Sequence, residues 1–156
     1  MRERAEWASR LPEFLPRTLA WAAAQSQLIL QNGVSLDAPA QAVARAVGVK
    51  QPDRIRLWTV VDIPAPSDPE LRQLALDENL IGPGTGGLTL GYGILIRRGR
   101  LDLRLLSHEC RHVHQVEAAG GLEAFLALYL RQIADFTYEN APYEQDAKAH
   151  ELKTWP

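Results

Sequence analysis

The chain has 156 residues, of which 46% are hydrophobic and 23% are charged, so it can bury a sizeable core in one domain, and intrinsic disorder is excluded for most of it. Seventeen basic residues against nineteen acidic ones give a net charge of -2, which argues against a broad nucleic-acid-binding surface. The single cysteine, Cys110, excludes an intrachain disulfide and any cysteine-rich zinc or iron–sulfur site.

The N-terminal region contains no pattern typical of a targeting or membrane-spanning segment. Residues 1–17 are rich in Arg and Glu and include two prolines, so no apolar signal core begins there. The most apolar early run, residues 18–30, is interrupted by polar side chains and is shorter than the roughly 20 residues that a membrane span needs. Together with the lone cysteine, this predicts a cytoplasmic protein without a membrane span.

Periodicity predicts mainly helices in the first 80 residues, with one strand. Residues 12–31 have apolar side chains at helical spacing and end at Asn32-Gly33. A second helix is predicted over 37–47 and a strand over 54–63, because the latter is dense in β-branched and large apolar residues. A short helix over 69–79 follows a proline-rich loop, with Asp68 as its N-cap.

The second half begins with a glycine-rich segment, residues 82–87, followed by a strand-like run over 88–97. Gly91 and Gly93 within this run indicate a bulge, a turn or a close approach of two backbones. After a charged turn, three helices are predicted over 101–119, 122–137 and 142–153, separated by Gly120-Gly121 and by Asn140-Ala141-Pro142.

The first of these three helices carries a His-Glu-x-x-His motif formed by His108, Glu109 and His112. Side chains four residues apart lie on one helical face, about 5–6 Å apart, so two imidazoles can bind one metal ion. Glu109 is rotated by about 100° from His108, beside the metal, where its carboxylate can accept a proton from water that the metal activates. Gln115 lies close to the same face, whereas Cys110 and His114 point elsewhere.

A catalytic zinc ion takes a third protein ligand and keeps one position open. The positions that would continue the motif with a glycine and a third histidine hold Gln115 and Ala118, and no cysteine lies upstream, so a carboxylate from a later helix is the remaining common solution. Glu144, in the first turn of the last helix, is the predicted ligand, and its alternative role is helix capping. The other candidates for the third ligand are Glu117, which is too close on the same helix to turn back, and Glu123, Asp135, Glu139, Asp146, His150 and Glu151.

With this motif, the chain resembles the small single-domain gluzincin-type zinc metallopeptidases, called minigluzincins, from residue 89 to residue 152. Residues 86–91 and 94–97 resemble the glycine-rich segment and edge strand of that family, and residues 143–147 resemble its glutamate-bearing segment. The resemblance implies a zincin-like α+β fold, mostly helical, with a small sheet whose edge strand borders the active-site helix. It also implies one zinc ion per chain bound by His108, His112 and Glu144, with Glu109 as general base.

The chain departs from the gluzincin pattern at two points. Many gluzincins carry an acid four residues after the glutamate ligand that orients a ligand histidine, and that position is Lys148 here. No residue is an obvious donor to the oxyanion of the reaction, for which Tyr129, Tyr138, Tyr143 and His150 are the candidates.

The predicted organisation is one zincin-like domain over 1–156, with N-terminal helices and the first strand in 1–80 and the edge strand, the active-site helix and the Glu144-bearing helix in 81–156. The predicted function is zinc-dependent hydrolysis of peptide bonds in a peptide or protein substrate, which would pair with a strand over 94–97. Two alternatives are a non-catalytic zinc-binding or protein-interaction module that retains the fold, and a helical scaffold without metal. The sequence does not indicate an oligomeric state.

Overall fold

The computed structural model of the protein describes residues 2–156, and the side chains of residues 6–156. Within this range the chain forms an α+β structure of seven α-helices around a small mixed sheet. The helices are α1 (Arg2–Ser9), α2 (Leu11–Asn32), α3 (Ala38–Ala46), α4 (Pro69–Asp77), α5 (Leu103–Ala119), α6 (Leu122–Phe136) and α7 (Pro142–Ala149). The strands are β1 (Val34–Ser35), β2 (Arg56–Val60), β3 (Gly87–Leu90) and β4 (Gly93–Arg97).

The sheet has the strand order β1-β2-β4-β3, in which β2 and β4 are parallel and the two outer strands are antiparallel to their neighbours. The prediction that a peptide could pair with residues 94–97 is wrong, because β4 is already paired on both sides. Gly91, with a φ of 73°, allows the run over 88–97 to fold back as a hairpin instead of continuing as one strand. The two edge strands are therefore β1 and β3, and β3 is the one that contacts α5.

Helices cover both faces of the sheet, because successive side chains of β4 point in opposite directions. One buried cluster joins β4 to α3 and α5 and includes Ile94, Ile96 and Cys110. A second cluster joins β4 to α2 and α6 and includes Leu95 and Ile29. Helix α5 thus lies against the sheet along its length, in contact with the edge strand β3.

Aspartate caps fix where the middle helices begin. The side chain of Asp102 accepts a hydrogen bond from the Leu105 N–H at 2.8 Å and starts α5. Asp68 caps α4 as predicted, by accepting from two N–H groups of its first turn, and Asp37 caps α3 through the Ala40 N–H. These local signals place the helices within about two residues of the predicted bounds.

The structure differs from the predicted elements at both ends of the chain. Helix α1 was not predicted; its Trp7 is buried and donates a hydrogen bond from Nε1 to the carboxylate of Glu78 at 2.8 Å. Helix α7 ends at Ala149 instead of residue 153, so the chain turns back toward α5 over residues 150–152. The predicted strand over 54–63 is also shorter, because Pro52–Arg54 form a 3₁₀ turn before β2.

The seven helices that the structure describes are too short or too polar to cross a membrane. Across residues 2–156, none of the helices has the combination of length and apolar character that crossing a bilayer would require.

Candidate metal centre

Helix α5 presents the two motif histidines side by side in the interior. The rings of His108 and His112 lie 5.0 Å apart between centroids, as the four-residue spacing predicts. His112 is 6% exposed, and the side chain of His108 is 15% exposed. The Nε2 atoms of both rings point toward the first turn of α7.

Helix α7 places the carboxylate of Glu144 against both imidazoles. Its Oε1 lies 3.1 Å from His108 Nε2, and its Oε2 lies 3.3 Å from His112 Nε2. One ligand atom from each of the three residues lies within 4.8 Å of the other two, so the group could hold a metal ion. The donor set of two imidazole nitrogens and one carboxylate oxygen suits a divalent transition metal.

Three contacts fix the first turn of α7 and hence Glu144. The Tyr143 N–H donates to Gln132 Oε1 at 2.8 Å, and the Tyr143 carbonyl accepts from Gln115 Nε2 at 2.9 Å. The Tyr143 ring stacks on Phe125 of α6, with centroids 5.0 Å apart. Helix α7 begins at Pro142 after the N-cap Ala141, and the carboxylate of Glu144 contacts His108, His112 and Tyr129.

Burial and the attraction between Glu144 and the two histidines shift the pKa values in this group. Burial favours neutral His112, but the carboxylate of Glu144 outweighs it and raises the His112 pKa to about 9. Burial alone would raise the pKa of Glu144, yet the two histidines hold it well below its usual range. Two nitrogen lone pairs directed at a carboxylate require a positive charge between them, which protons or a metal ion can supply.

Gln115 orients His112 through a defined hydrogen-bond chain. The amide nitrogen of Gln115 donates to Asp146 Oδ2 at 2.9 Å and to the Tyr143 carbonyl, which leaves its oxygen facing His112 Nδ1 at 2.7 Å. Because that oxygen can only accept, His112 carries a hydrogen on Nδ1 and directs Nε2 toward Glu144. The sequence predicted that Gln115 lies near the ligand face; its spacing of three residues from His112 is the signal for this contact.

The other ring nitrogen of His108 contacts a residue beyond the end of α7. Its Nδ1 lies 2.8 Å from Glu151 Oε2, on the side of the ring opposite Glu144. A carboxylate therefore contacts this histidine although the position four residues after Glu144 holds Lys148. In the continuous helix predicted over 142–153, Glu151 would lie on the same face as Glu144 but about 10 Å further along the axis, so the contact with His108 was not evident.

Glu109 lies beside the three candidate ligands but is not one of them. It is 5% exposed, and its Oε1 accepts a hydrogen bond from Thr89 Oγ1 of β3 at 3.0 Å. The same hydroxyl lies 3.1 Å from the Glu109 carbonyl, so Thr89 ties the motif to the edge strand. A side chain at Gly87 would bring its Cβ within 3.1 Å of Glu109 Cγ, which explains the glycine there. Gly87 and Thr89 were not predicted from the sequence as site residues. The sequence feature that could have indicated them is their alternation with leucines, which places both on one face of a strand.

The other candidates for the third ligand are exposed or contact other groups, and Glu151 contacts His108 from the side opposite Glu144. Asp146 accepts hydrogen bonds from Arg111 Nε at 2.8 Å and from Gln115. Glu139 is exposed, and His150 Nδ1 contacts the backbone carbonyl of Asp146 at 2.8 Å. Among the predicted candidates in the described part of the chain, Glu144 is the one that faces both Nε2 atoms.

Two of the four candidate oxyanion donors lie at the centre. Tyr129 donates from its hydroxyl to Glu144 Oε2 at 2.7 Å, and burial together with Glu144 raises its pKa. Burial followed by the charge of Glu144 also raises the pKa of Tyr138. Tyr143 instead stacks on Phe125, and His150 contacts Asp146, so neither is directed at the three ligands.

Two cavities open beside the candidate ligands. One of about 110 Å³ is lined mainly by apolar side chains of α2, α4, α6 and β3 and reaches Glu109, His112 and Glu144. The other, of about 380 Å³, reaches His108 and Glu109 along the glycine-rich segment 82–87. Glu109, although only 5% exposed, borders both cavities, so a molecule bound in either cavity would lie next to it.

No relative of this chain is found among known proteins: comparison of the chain with family models, curated proteins and solved structures gives no match. The likeness to gluzincins therefore depends on the motif in α5 and on the glutamate in α7.

Proposed function

We propose that the chain is a zinc-dependent metallopeptidase of the small gluzincin type, with a zincin-like fold. The observation that carries the proposal is the placement of four site residues, three of which converge while the fourth lies beside them. His108, His112 and Glu144 converge on one point, while Glu109 is held 3.0 Å from Thr89 outside that group. Three protein ligands leave one zinc position for water or substrate, which is the arrangement of catalytic zinc sites.

Zinc fits the donor set best. Imidazole nitrogen is a common zinc ligand, and a carboxylate completes the two-histidine, one-glutamate set known from catalytic zinc centres. Both imidazoles present Nε2 to the same carboxylate, which matches a small four-coordinate ion. When bound there, zinc would polarise a peptide carbonyl and lower the pKa of a water molecule toward about 7.

Glu109 performs the proton transfers in this proposal. Its carboxylate accepts a proton from the attacking water and delivers it to the nitrogen of the leaving amine, so the peptide bond breaks and a water molecule is consumed. Thr89 and Gly87 support this role, because the hydroxyl binds one carboxylate oxygen and the glycine leaves room for the side chain. The second oxygen then remains for the proton.

The edge strand β3 is the proposed docking site for an extended peptide. β3 pairs with β4 on one side and ends the sheet on the other, so its outer backbone groups can add a substrate strand. Thr89 lies on this strand and contacts Glu109. A peptide added to β3 would therefore run past the general base.

The alternative of a non-catalytic zinc-binding module with the same fold makes a different prediction about the fourth metal position. A structural zinc site is closed by a fourth protein ligand, whereas a catalytic one is open. Among the described residues, the group that could hold a metal has three members. Three candidate ligands among these residues, and not four, favour a catalytic zinc site over a structural one.

The proposal is tested by incubating the zinc-loaded protein with a mixed peptide library and identifying new termini by mass spectrometry. We expect cleavage that disappears after chelation and returns with added zinc. Zinc-loaded protein that produces no new terminus would contradict peptidase activity, and a fourth protein ligand in a zinc-bound crystal structure would support the non-catalytic module.

Replacing Glu144 by alanine is expected to weaken zinc binding far more than replacing Glu139, because Glu144 faces both Nε2 atoms and Glu139 is exposed. Zinc affinity measured by competition with a chromophoric chelator compares the two variants. Equal affinities would remove Glu144 from the ligand set.

Replacing Gly87 by alanine is expected to lower peptide hydrolysis by about tenfold while zinc stays bound, because the new Cβ displaces Glu109. Gly84 is the matched control, since a Cβ there meets no atom within 4 Å. Wild-type turnover in the Gly87→Ala protein would mean that the position of Glu109 is not critical.

A further inference from the structure

The segment that follows α7 supplies a carboxylate to the metal centre. Helix α7 ends at Ala149, and Glu151 then lies with Oε2 2.8 Å from His108 Nδ1. The side chain of Glu151 is largely buried, and Arg104 is 3.6 Å from the same oxygen.

The backbone of this segment is anchored independently of that carboxylate. The Leu152 N–H donates to Ser107 Oγ at 2.9 Å, and Ser107 is fully buried one residue before His108. The Leu152 side chain packs against the buried cluster of α3, α5 and β4. Removal of the Glu151 carboxylate would therefore leave the path of the chain in place.

We propose that Glu151 is the positioning residue of His108. An ionised carboxylate can only accept a hydrogen bond, so the contact places a hydrogen on His108 Nδ1 and leaves Nε2, the atom that faces Glu144, to bind the metal. The negative charge of Glu151 also makes the imidazole a stronger metal ligand. The inference depends on the metal site of the proposed function and not on peptide hydrolysis.

The two ligand histidines are thus held by chemically different partners. The amide oxygen of Gln115 holds His112, whereas the carboxylate of Glu151 holds His108. Gln115 lies on the same helix as its histidine, but Glu151 comes from 43 residues away. The residues after α7 are therefore part of the metal centre, and metal affinity depends on their position.

The experiment measures zinc affinity of the full chain by competition with a chromophoric chelator. We expect Glu151→Ala to raise the zinc dissociation constant by about 10–100-fold. Glu151→Gln is expected to fall between Glu151→Ala and wild type, because its amide oxygen accepts the hydrogen bond without the charge. Glu139→Ala is the control and should match wild type. A dissociation constant within about twofold of wild type for Glu151→Ala would overturn the proposal.

A spectroscopic signature separates positioning from a general loss of stability. In the cobalt-substituted protein, each ligated imidazole with a protonated Nδ1 gives an exchangeable, strongly shifted proton signal. We expect wild type to show two such signals, and Glu151→Ala to lose one by fast exchange while keeping the other. Two unchanged signals would overturn the assignment. Wild type that binds zinc but cleaves no peptide would contradict the proposed function alone, and the affinity comparison would still decide this inference.

Discussion

Glu109→Gln is expected to keep one zinc ion per chain and to lower peptide hydrolysis by about 10²-fold or more. The amide has nearly the shape of the carboxylate and can still accept the hydrogen bond from Thr89, but it cannot take a proton from water. Steady-state rates on a cleaved peptide, with zinc content measured on the same sample, give the result.

The control for this variant is Glu117→Gln, eight residues along the same helix. Glu117 accepts hydrogen bonds from the backbone N–H groups of Lys50 and Gln51 and from Tyr92, away from the ligands. We expect it to retain activity. Unchanged turnover in Glu109→Gln would exclude the general-base role, and loss of zinc would mean that Glu109 is a ligand.

His112→Ala is expected to lose most of the bound zinc, because the ring is one of the three proposed ligands and is held between Gln115 and Glu144. His114→Ala is the matched control: His114 lies on the same helix, but its Nδ1 contacts the Gly48 carbonyl at 3.0 Å. Elemental analysis of the two purified proteins compares them directly.

Chelation should also lower the melting temperature of wild type and of His114→Ala, since zinc held by the proposed ligands would stabilise the folded state. The melting temperature of His112→Ala should not respond to chelation. Full zinc occupancy in His112→Ala would exclude this histidine as a ligand.

The part of the site carried by one helix could be predicted from the sequence. The spacing of His108 and His112 follows from helical geometry alone, and Asp102 and Gly120 mark where that helix begins and ends. Glu144 is predicted among eight candidates because it lies in the first turn of the last predicted helix, and the structure places it against both imidazoles. Its role as a zinc ligand stays a prediction.

The rest of the site depends on tertiary contacts that leave no local pattern. Glu151 approaches His108 because α7 stops early, and the Leu152 N–H binds Ser107 on a different helix. The edge strand was misplaced because the hairpin turn at Gly91 interrupts an apolar run that looks continuous. Helix α1 has few apolar residues, and the burial of Trp7 against Glu78 holds it in place.

The most direct test of the central claim is elemental analysis of the protein purified without added metal. We predict about one zinc ion per chain, bound by His108, His112 and Glu144. Protein that contains no zinc, and that takes up none when zinc is supplied after purification, would contradict it.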